Sequence, residues 1–156
     1  MIIQKILITR LETIKVLEKI EEKSKRLFTF LENLLISDNN EKIRIQSTKI
    51  LTTLYIEQAI PPINWVLQHE KSIAIQIAII NSLADMDNEK TRSILLKKLN
   101  EFHKKKYKYN LKGINEIQDL KDLNNSAIAE ILINYLVISS LKLKFDSAKF
   151  SLNQNG

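Results

Sequence analysis

Residues that cross-link, bend or break a chain are scarce in this sequence of 156 residues, which has no cysteine, two glycines, two prolines and two histidines. The lack of cysteine excludes a disulfide-bonded secreted fold and a cysteine-based zinc site. Gly113 and Gly156 are far apart, whereas phosphate-binding loops require clustered glycines. Glycine and proline, the residues that form most tight turns, number four together, which is too few for an all-β protein. These absences predict an all-α protein.

Long apolar runs are also absent. The longest uncharged run, 72–84, is shorter than the roughly 20 residues that span a bilayer. The apolar start of the chain contains Lys5 and lacks a small-residue cleavage site, so it does not match a secretory signal. We therefore expect a cytoplasmic chain without membrane insertion.

Apolar residues recur at three- and four-residue steps, which predicts a series of amphipathic helices. The length suits one domain with its own core. We expect helices over 3–20, 27–35, 41–56, 61–68, 73–84 and 89–102. Pro61-Pro62 would open the fourth, because proline is tolerated in a first helical turn. Short connections would make successive helices antiparallel hairpins.

Part of this series repeats. Segment 43–50 aligns with 73–80 without a gap, and four of the eight positions are identical. A third copy fits at 128–136, where Ile133-Asn134-Tyr135-Leu136 aligns with Ile80-Asn81-Ser82-Leu83. Helical hairpins at a fixed period indicate a solenoid.

The residues from Asp38 to Leu51 resemble the second-helix signature of HEAT repeats, especially the short type of about 30 residues. In that family a turn aspartate and an arginine near the start of the second helix bond neighbouring units, and Asp38 and Arg44 match them. The second copy departs from the pattern, since Ala74 takes the arginine's place. The resemblance covers about 24–100 and continues in degenerate form after Ser126. It implies a short right-handed α-solenoid whose second helices line a concave surface.

The segment 73–84 supports a layered arrangement independently of that resemblance. Its isoleucines and leucine cover every face of the predicted helix. Such a helix must be covered on several sides, so we expect it to lie inside the solenoid with a neighbour before and after it.

The end of the chain follows a different pattern. Leu141, Leu143 and Phe145 alternate with lysines, which predicts a small β-hairpin turning at Asp146-Ser147. The alternative is a helix that reaches Lys144 and a tail after it. Asn153-Gln154-Asn155-Gly156 is itself turn-like, as expected of an N-terminal module in a larger repeat protein.

Four segments follow from these patterns. We expect HEAT-like hairpins over 1–100 and a basic insertion loop over 101–124. A degenerate third-repeat helix would occupy 125–140, and the hairpin or tail 141–156.

Two sets of residues are candidates for binding a protein. Lys42, Gln46 and Lys49 share a polar face of the third helix, which the HEAT resemblance places on the concave surface. Trp65, the one tryptophan, flanks the apolar stripe of the fourth helix, where it either packs between repeats or anchors a partner. The alternative for the polar face is an ordinary solvated surface.

A basic segment is the second candidate site. From Lys97 to Lys112 there are seven lysines and one acidic residue, Glu101, so this segment accounts for the whole net charge of +6. Aromatic residues interleave with the lysines, a pattern typical of stacking on single-stranded nucleic acid. The alternative is a solvated loop. The candidate polyanion-binding residues are Lys104, Lys105, Lys106, Tyr107, Lys108 and Tyr109.

No grouping of residues indicates catalysis or a cofactor. His69 and His103 are far apart and lack the companions that a metal site or a catalytic base requires. We therefore expect a non-enzymatic scaffold or adaptor that binds another protein through a curved helical surface. The alternative is binding of nucleic acid or another polyanion through 97–112. The oligomeric state is left open.

Overall fold

A computed structural model describes residues 2–20, 23–106 and 122–153. These residues form α-helices and, within the described ranges, no strand. The helices are α1 (Ile2–Ile20), α2 (Lys25–Ser37), α3 (Glu41–Leu54), α4 (Ile56–His69), α5 (Ile73–Met86), α6 (Glu89–Lys106) and α7 (Asn125–Asn153). The predicted all-α class is confirmed.

Polar side chains in the connections begin the helices. Asn40 accepts hydrogen bonds from the backbone N–H groups of Lys42 and Ile43, and Ser72 accepts one from Ile75. Ser24 caps α2 in the same way. These bonds satisfy backbone N–H groups that have no partner within the helix. They therefore stabilise the first turn of each helix directly after a short connection.

The helices form two layers. In one layer α3 packs against α1 on one side and α5 on the other, and α5 packs in turn against α7. In the other layer α4 lies between α2 and α6. Because α3 and α5 pack more closely than α2 and α4 do, the first layer is the inside of the curve. We call α1, α3, α5 and α7 the inner layer, and α2, α4 and α6 the outer layer.

The predicted inner position of the segment 73–84 is confirmed. Ile75, Ile79, Ile80 and Leu83 of α5 are all fully buried. They lie in one core with residues from each of the seven helices. Each such side chain contributes roughly 1.5–3 kcal/mol before the entropy cost of ordering it. Packing therefore holds α5 in place, since isoleucine is a mediocre helix former.

The repeat register differs from the predicted one by two residues. The N-caps Asn40 and Ser72 are equivalent, and so are the buried residues Ile43 and Ile75. Both pairs align α3 with positions of α5 that lie two residues later than predicted. The α5 residue equivalent to Arg44 is therefore Gln76, not Ala74. The difference matters because two residues turn a helix by about 200°, which would exchange its buried and exposed faces.

Ion pairs connect two of the inner helices, α1 and α3, to the turn of the next unit. Arg44 on α3 pairs with Glu70 at the end of α4, and both side chains are largely buried. Arg10 on α1 pairs with the equivalent turn residue, Asp38 at the end of α2, although the Arg10 side chain is 44% exposed. Asp38 and Arg44 therefore bond neighbouring units, as the HEAT resemblance implies. The pattern also identifies α1 as the second helix of a unit, with Arg10 equivalent to Arg44.

Two predicted boundaries are wrong because helices continue further than local signals indicate. The fourth helix starts at Ile56, so Pro61 and Pro62 lie inside α4 and cannot bond the carbonyls of Glu57 and Gln58. Helix α6 runs to Lys106, so the first part of the predicted basic loop is helical. The rest of that loop, 107–121, lies outside the described residues.

The predicted C-terminal β-hairpin is also wrong, since α7 continues to Asn153. Asp146-Ser147 is a poor two-residue turn, and an isolated hairpin is only marginally stable. Extending a helix that packing has already nucleated costs much less than starting a new element. The alternative of a helix that ends at Lys144 is closer to the structure, although α7 continues for nine residues beyond Lys144.

An aromatic stack joins the last two helices. The rings of Phe102 on α6 and Tyr135 on α7 are nearly parallel, with centroids 5.3 Å apart. The Tyr135 hydroxyl donates a hydrogen bond of 3.2 Å to the carbonyl of Phe102. Burial raises the pKa of this hydroxyl above its usual value of 10.0.

The substitution Arg44→Met should lower the free energy of unfolding by about 3 kcal/mol, because it leaves the Glu70 carboxylate buried without its partner. Lys90→Met, in the exposed pair with Glu57, is the matched control and should cost less than about 1 kcal/mol. Urea titration at neutral pH measures both changes. Equal losses would contradict the structural role given to the Arg44–Glu70 pair.

The substitution Tyr135→Phe should keep the stack and remove the hydrogen bond, at a cost of about 1 kcal/mol at neutral pH. The folded chain holds the Tyr135 proton more tightly than the unfolded chain, so native stability should fall as the pH rises above about 10. Denaturant titrations at pH 7 and above pH 10 should show a smaller alkaline loss in the variant. An unchanged pH dependence would refute this assignment.

Candidate protein-interaction surface

The solvent-facing side of the inner layer carries the predicted contact residues of the third helix. Lys42 and Lys49 are exposed on α3, away from the outer layer, and Thr53 continues their row. Gln46 is half-buried, because its side-chain amide donates a 3.1 Å hydrogen bond to Glu18 on α1. The structure thus brings the two lysines together on an open face and ties the glutamine to the neighbouring helix.

The repeat register gives the equivalent positions on the other inner helices. On α5 these positions follow from the equivalence of Ile43 with Ile75, and on α1 they follow from the equivalence of Arg44 with Arg10. On α7 the row follows from the predicted alignment of Leu83 with Leu136, which are both buried. We call this row the inner strip: Ile8, Glu12, Lys15, Lys19, Lys42, Gln46, Lys49, Thr53, Ala74, Ala78, Asn81, Asp85, Ala127, Ile131, Asn134 and Ile138.

The chemistry of the inner strip changes along the solenoid. The α1 and α3 part is basic, since Lys19, Lys42 and Lys49 are exposed there and Glu12 is already paired with Lys15. The α5 part is small and mostly uncharged, with Ala74 and Asn81 exposed. The α7 part is mostly apolar, with Ile138 half-exposed and Asn134 its one exposed polar residue. The middle of the inner strip therefore carries smaller side chains than its two ends.

Trp65 lies on the outer layer and so is not part of the inner strip. Its side chain is 50% exposed on α4. The indole stacks on the ring of His69 with centroids 4.4 Å apart, and a His69 ring nitrogen lies 2.8 Å from the Trp65 carbonyl oxygen. The structure therefore separates Trp65 from Lys42 and Lys49, with the two layers between them.

A groove that sequence reasoning missed lies at the start of α2 and α4. It is open to solvent, has a volume of about 810 Å³, and includes Phe28, Tyr55, Pro61 and Pro62 in its lining. The Tyr55 hydroxyl both donates to the Ser24 carbonyl and accepts from the Ser24 N–H, at 2.9 Å each. The Tyr55 hydroxyl thus joins the start of α4 to the start of α2 beside the groove.

The basic segment is partly committed to packing. The Lys98 ammonium donates to the Leu67 carbonyl at 3.1 Å and lies 5.5 Å from the centre of the Phe102 ring. Phe102 itself stacks on Tyr135. Lys97 and Lys104 are exposed on α6. The side chains of Lys105 and Lys106, and residues Tyr107, Lys108 and Tyr109, lie outside the described part.

The described residues offer no metal centre and no membrane span. Within these ranges, no three histidine or acidic side chains are grouped so that they could hold a metal ion. None of the helices there has the length and apolar character needed to cross a lipid bilayer.

Comparison with known proteins identifies the fold family. Residues 28–106 match the family model described as HEAT repeats. No curated protein and no solved structure matches the chain significantly. HEAT repeats generally serve as protein-interaction scaffolds, and their all-helical fold is typically not catalytic. The match covers half of the chain, and α2 to α6 form the paired helices and inter-unit ion pairs described above. This chain belongs to the HEAT repeat family.

Proposed function

We propose that this chain is a non-enzymatic adaptor that binds a segment of another protein along the inner strip. The observation that carries the proposal is the graded chemistry of that strip. A segment with acidic residues toward α1 and α3 and apolar residues toward α7 would complement it.

The geometry of the inner layer favours one bound segment that crosses several helices. Each inner helix contributes four residues to the inner strip. The four sets lie side by side, because α1, α3, α5 and α7 pack against one another in that order. A segment bound across them would contact all the units at once, which is how solenoids create extended binding surfaces. Lys42 and Lys49 would supply charge, and Ile138 would supply apolar area.

Site-specific photo-crosslinking in the source cells tests this surface. A photoreactive residue at position 42, 49 or 81 should capture the same partner, while one at Gln58 or Gln68 on the outer layer should not. The double substitution Lys42→Glu and Lys49→Glu should reduce capture from position 81 about tenfold, because it reverses the charge that the acidic part of the segment meets. Capture only from the outer positions, or no effect of the charge reversal, would refute the proposal.

The alternative function is polyanion binding through 97–112. It is favoured by the row of lysines that ends α6, where Lys104 is exposed. Phe102 does not contribute a free stacking surface, because Tyr135 covers it. The aromatic part of such a site would depend on Tyr107 and Tyr109, which lie outside the described residues.

Fluorescence anisotropy with a labelled single-stranded RNA, titrated at several salt concentrations, tests the alternative. If the segment binds phosphates, changing Lys104, Lys105 and Lys106 to Gln should weaken binding and reduce the slope of affinity against salt. The control is Lys23→Gln with Lys25→Gln, which changes exposed lysines elsewhere. Absence of binding at low salt, or equal effects of both sets, would exclude this function.

A further inference from the structure

Helix α1 carries an apolar stripe that nothing in the described structure covers. Ile2, Ile6, Thr9, Thr13 and Val16 follow one another at alternating steps of four and three residues, so they lie on one face of the helix. All five are exposed, and the isoleucines and the valine are 51–77% accessible. We call this face the α1 stripe. It is separate from the inner strip, where α1 contributes Ile8, Glu12, Lys15 and Lys19.

The register of the solenoid shows what kind of element covers such a face. Thr9, Thr13 and Val16 are equivalent to Ile43, Ser47 and Ile50 of α3, which are fully buried. Helices α2 and α4 of the outer layer cover that side of α3. Among the described residues α1 packs only against α3, and no outer-layer helix covers it. The α1 stripe therefore continues the interface between the two layers at a point where the described outer layer has no helix.

The two threonine hydroxyls of the α1 stripe already have hydrogen-bond partners within the helix. The Thr9 hydroxyl donates to the Lys5 carbonyl at 3.0 Å, and the Thr13 hydroxyl donates to the Thr9 carbonyl at 2.8 Å. Because both hydroxyls are satisfied within α1, covering the stripe would leave neither of them without a hydrogen bond. The stripe thus presents aliphatic groups of β-branched side chains along its length.

The charges beside the stripe select between possible occupants. Lys5 lies beside it and pairs with no acidic side chain among the described residues, whereas Glu12 is paired with Lys15 and Arg10 with Asp38. A second copy of α1 would bring another unpaired lysine to this surface. A helix with acidic residues beside its apolar face would neutralise Lys5 instead.

We propose that the α1 stripe binds an amphipathic helix of another protein, with leucine-type residues on one face and acidic residues beside it. This helix would occupy the place that an outer-layer helix takes over α3. The leucines of α2 that pack into the core, Leu27, Leu31, Leu34 and Leu35, illustrate the spacing required. The interaction uses a different surface from the proposed function and does not depend on it.

The test measures binding of two labelled synthetic helical peptides to the full chain by fluorescence anisotropy. Both peptides have leucines on one face; one has glutamates beside them and the other has lysines. The glutamate peptide should bind, and Ile6→Asp should weaken it about tenfold or more, because a charge then interrupts the apolar contact. Ile8→Asp is the matched control and should have no effect, since Ile8 is equally exposed but lies outside the stripe.

A charge exchange gives a second, independent readout. The substitution Lys5→Glu should weaken binding of the glutamate peptide and strengthen binding of the lysine peptide. Failure of the glutamate peptide to bind, or equal effects of Ile6→Asp and Ile8→Asp, would overturn the proposal. Sedimentation that shows a dimer dissociated by Ile6→Asp would overturn it as well, because the occupant would then be a second copy. Capture from position 81 should be unchanged in Ile6→Asp, which keeps this test distinct from that of the inner strip.

Discussion

The buried ion pair between Arg44 and Glu70 sets how one helical unit sits on the next, and the surfaces of the molecule follow from that register. The pair joins an inner helix to the turn that precedes the following inner helix. A different rotation of α3 would move Arg44 away from Glu70, and a buried charge without its partner is costly. The Arg10–Asp38 pair repeats this arrangement one unit earlier. The buried isoleucines of α5 stabilise the packed helices, whereas the ion pairs orient the helices relative to one another.

The same register distinguishes two surfaces with different chemistry. On the inside of the curve, the inner strip passes from lysines on α1 and α3 through small residues on α5 to isoleucines on α7. On the side facing the outer layer, α2 and α4 cover α3, whereas no helix among the described residues covers α1.

Much of the fold could be predicted from the sequence, because helix periodicity and cap residues are local signals. The caps Asn40 and Ser72 directly precede the predicted helix starts at 41 and 73, and the apolar character of 73–84 indicated an inner helix. The register was wrong by two residues, since isoleucines on several faces of α5 align equally well with α3. Alternating residues from Leu141 indicated strands, yet α7 continues through them because a packed helix extends more readily than a weak turn forms. Of the candidate site, the lysines of α3 could be found from a polar face, whereas Trp65 could not be assigned to a layer.

The sequence by itself determined the class of this protein: helices joined by short capped turns, a HEAT-type repeat, and charge concentrated in one lysine-rich segment. It did so because these properties depend on residues close together in the chain. Only the tertiary structure decided that Phe102 and Lys98 are committed to packing, that Trp65 lies across the molecule from Lys42, and that no helix in the described part of the chain covers the α1 stripe. Those outcomes depend on which faces meet across the two layers, and a rotation of two residues along one helix would reverse them.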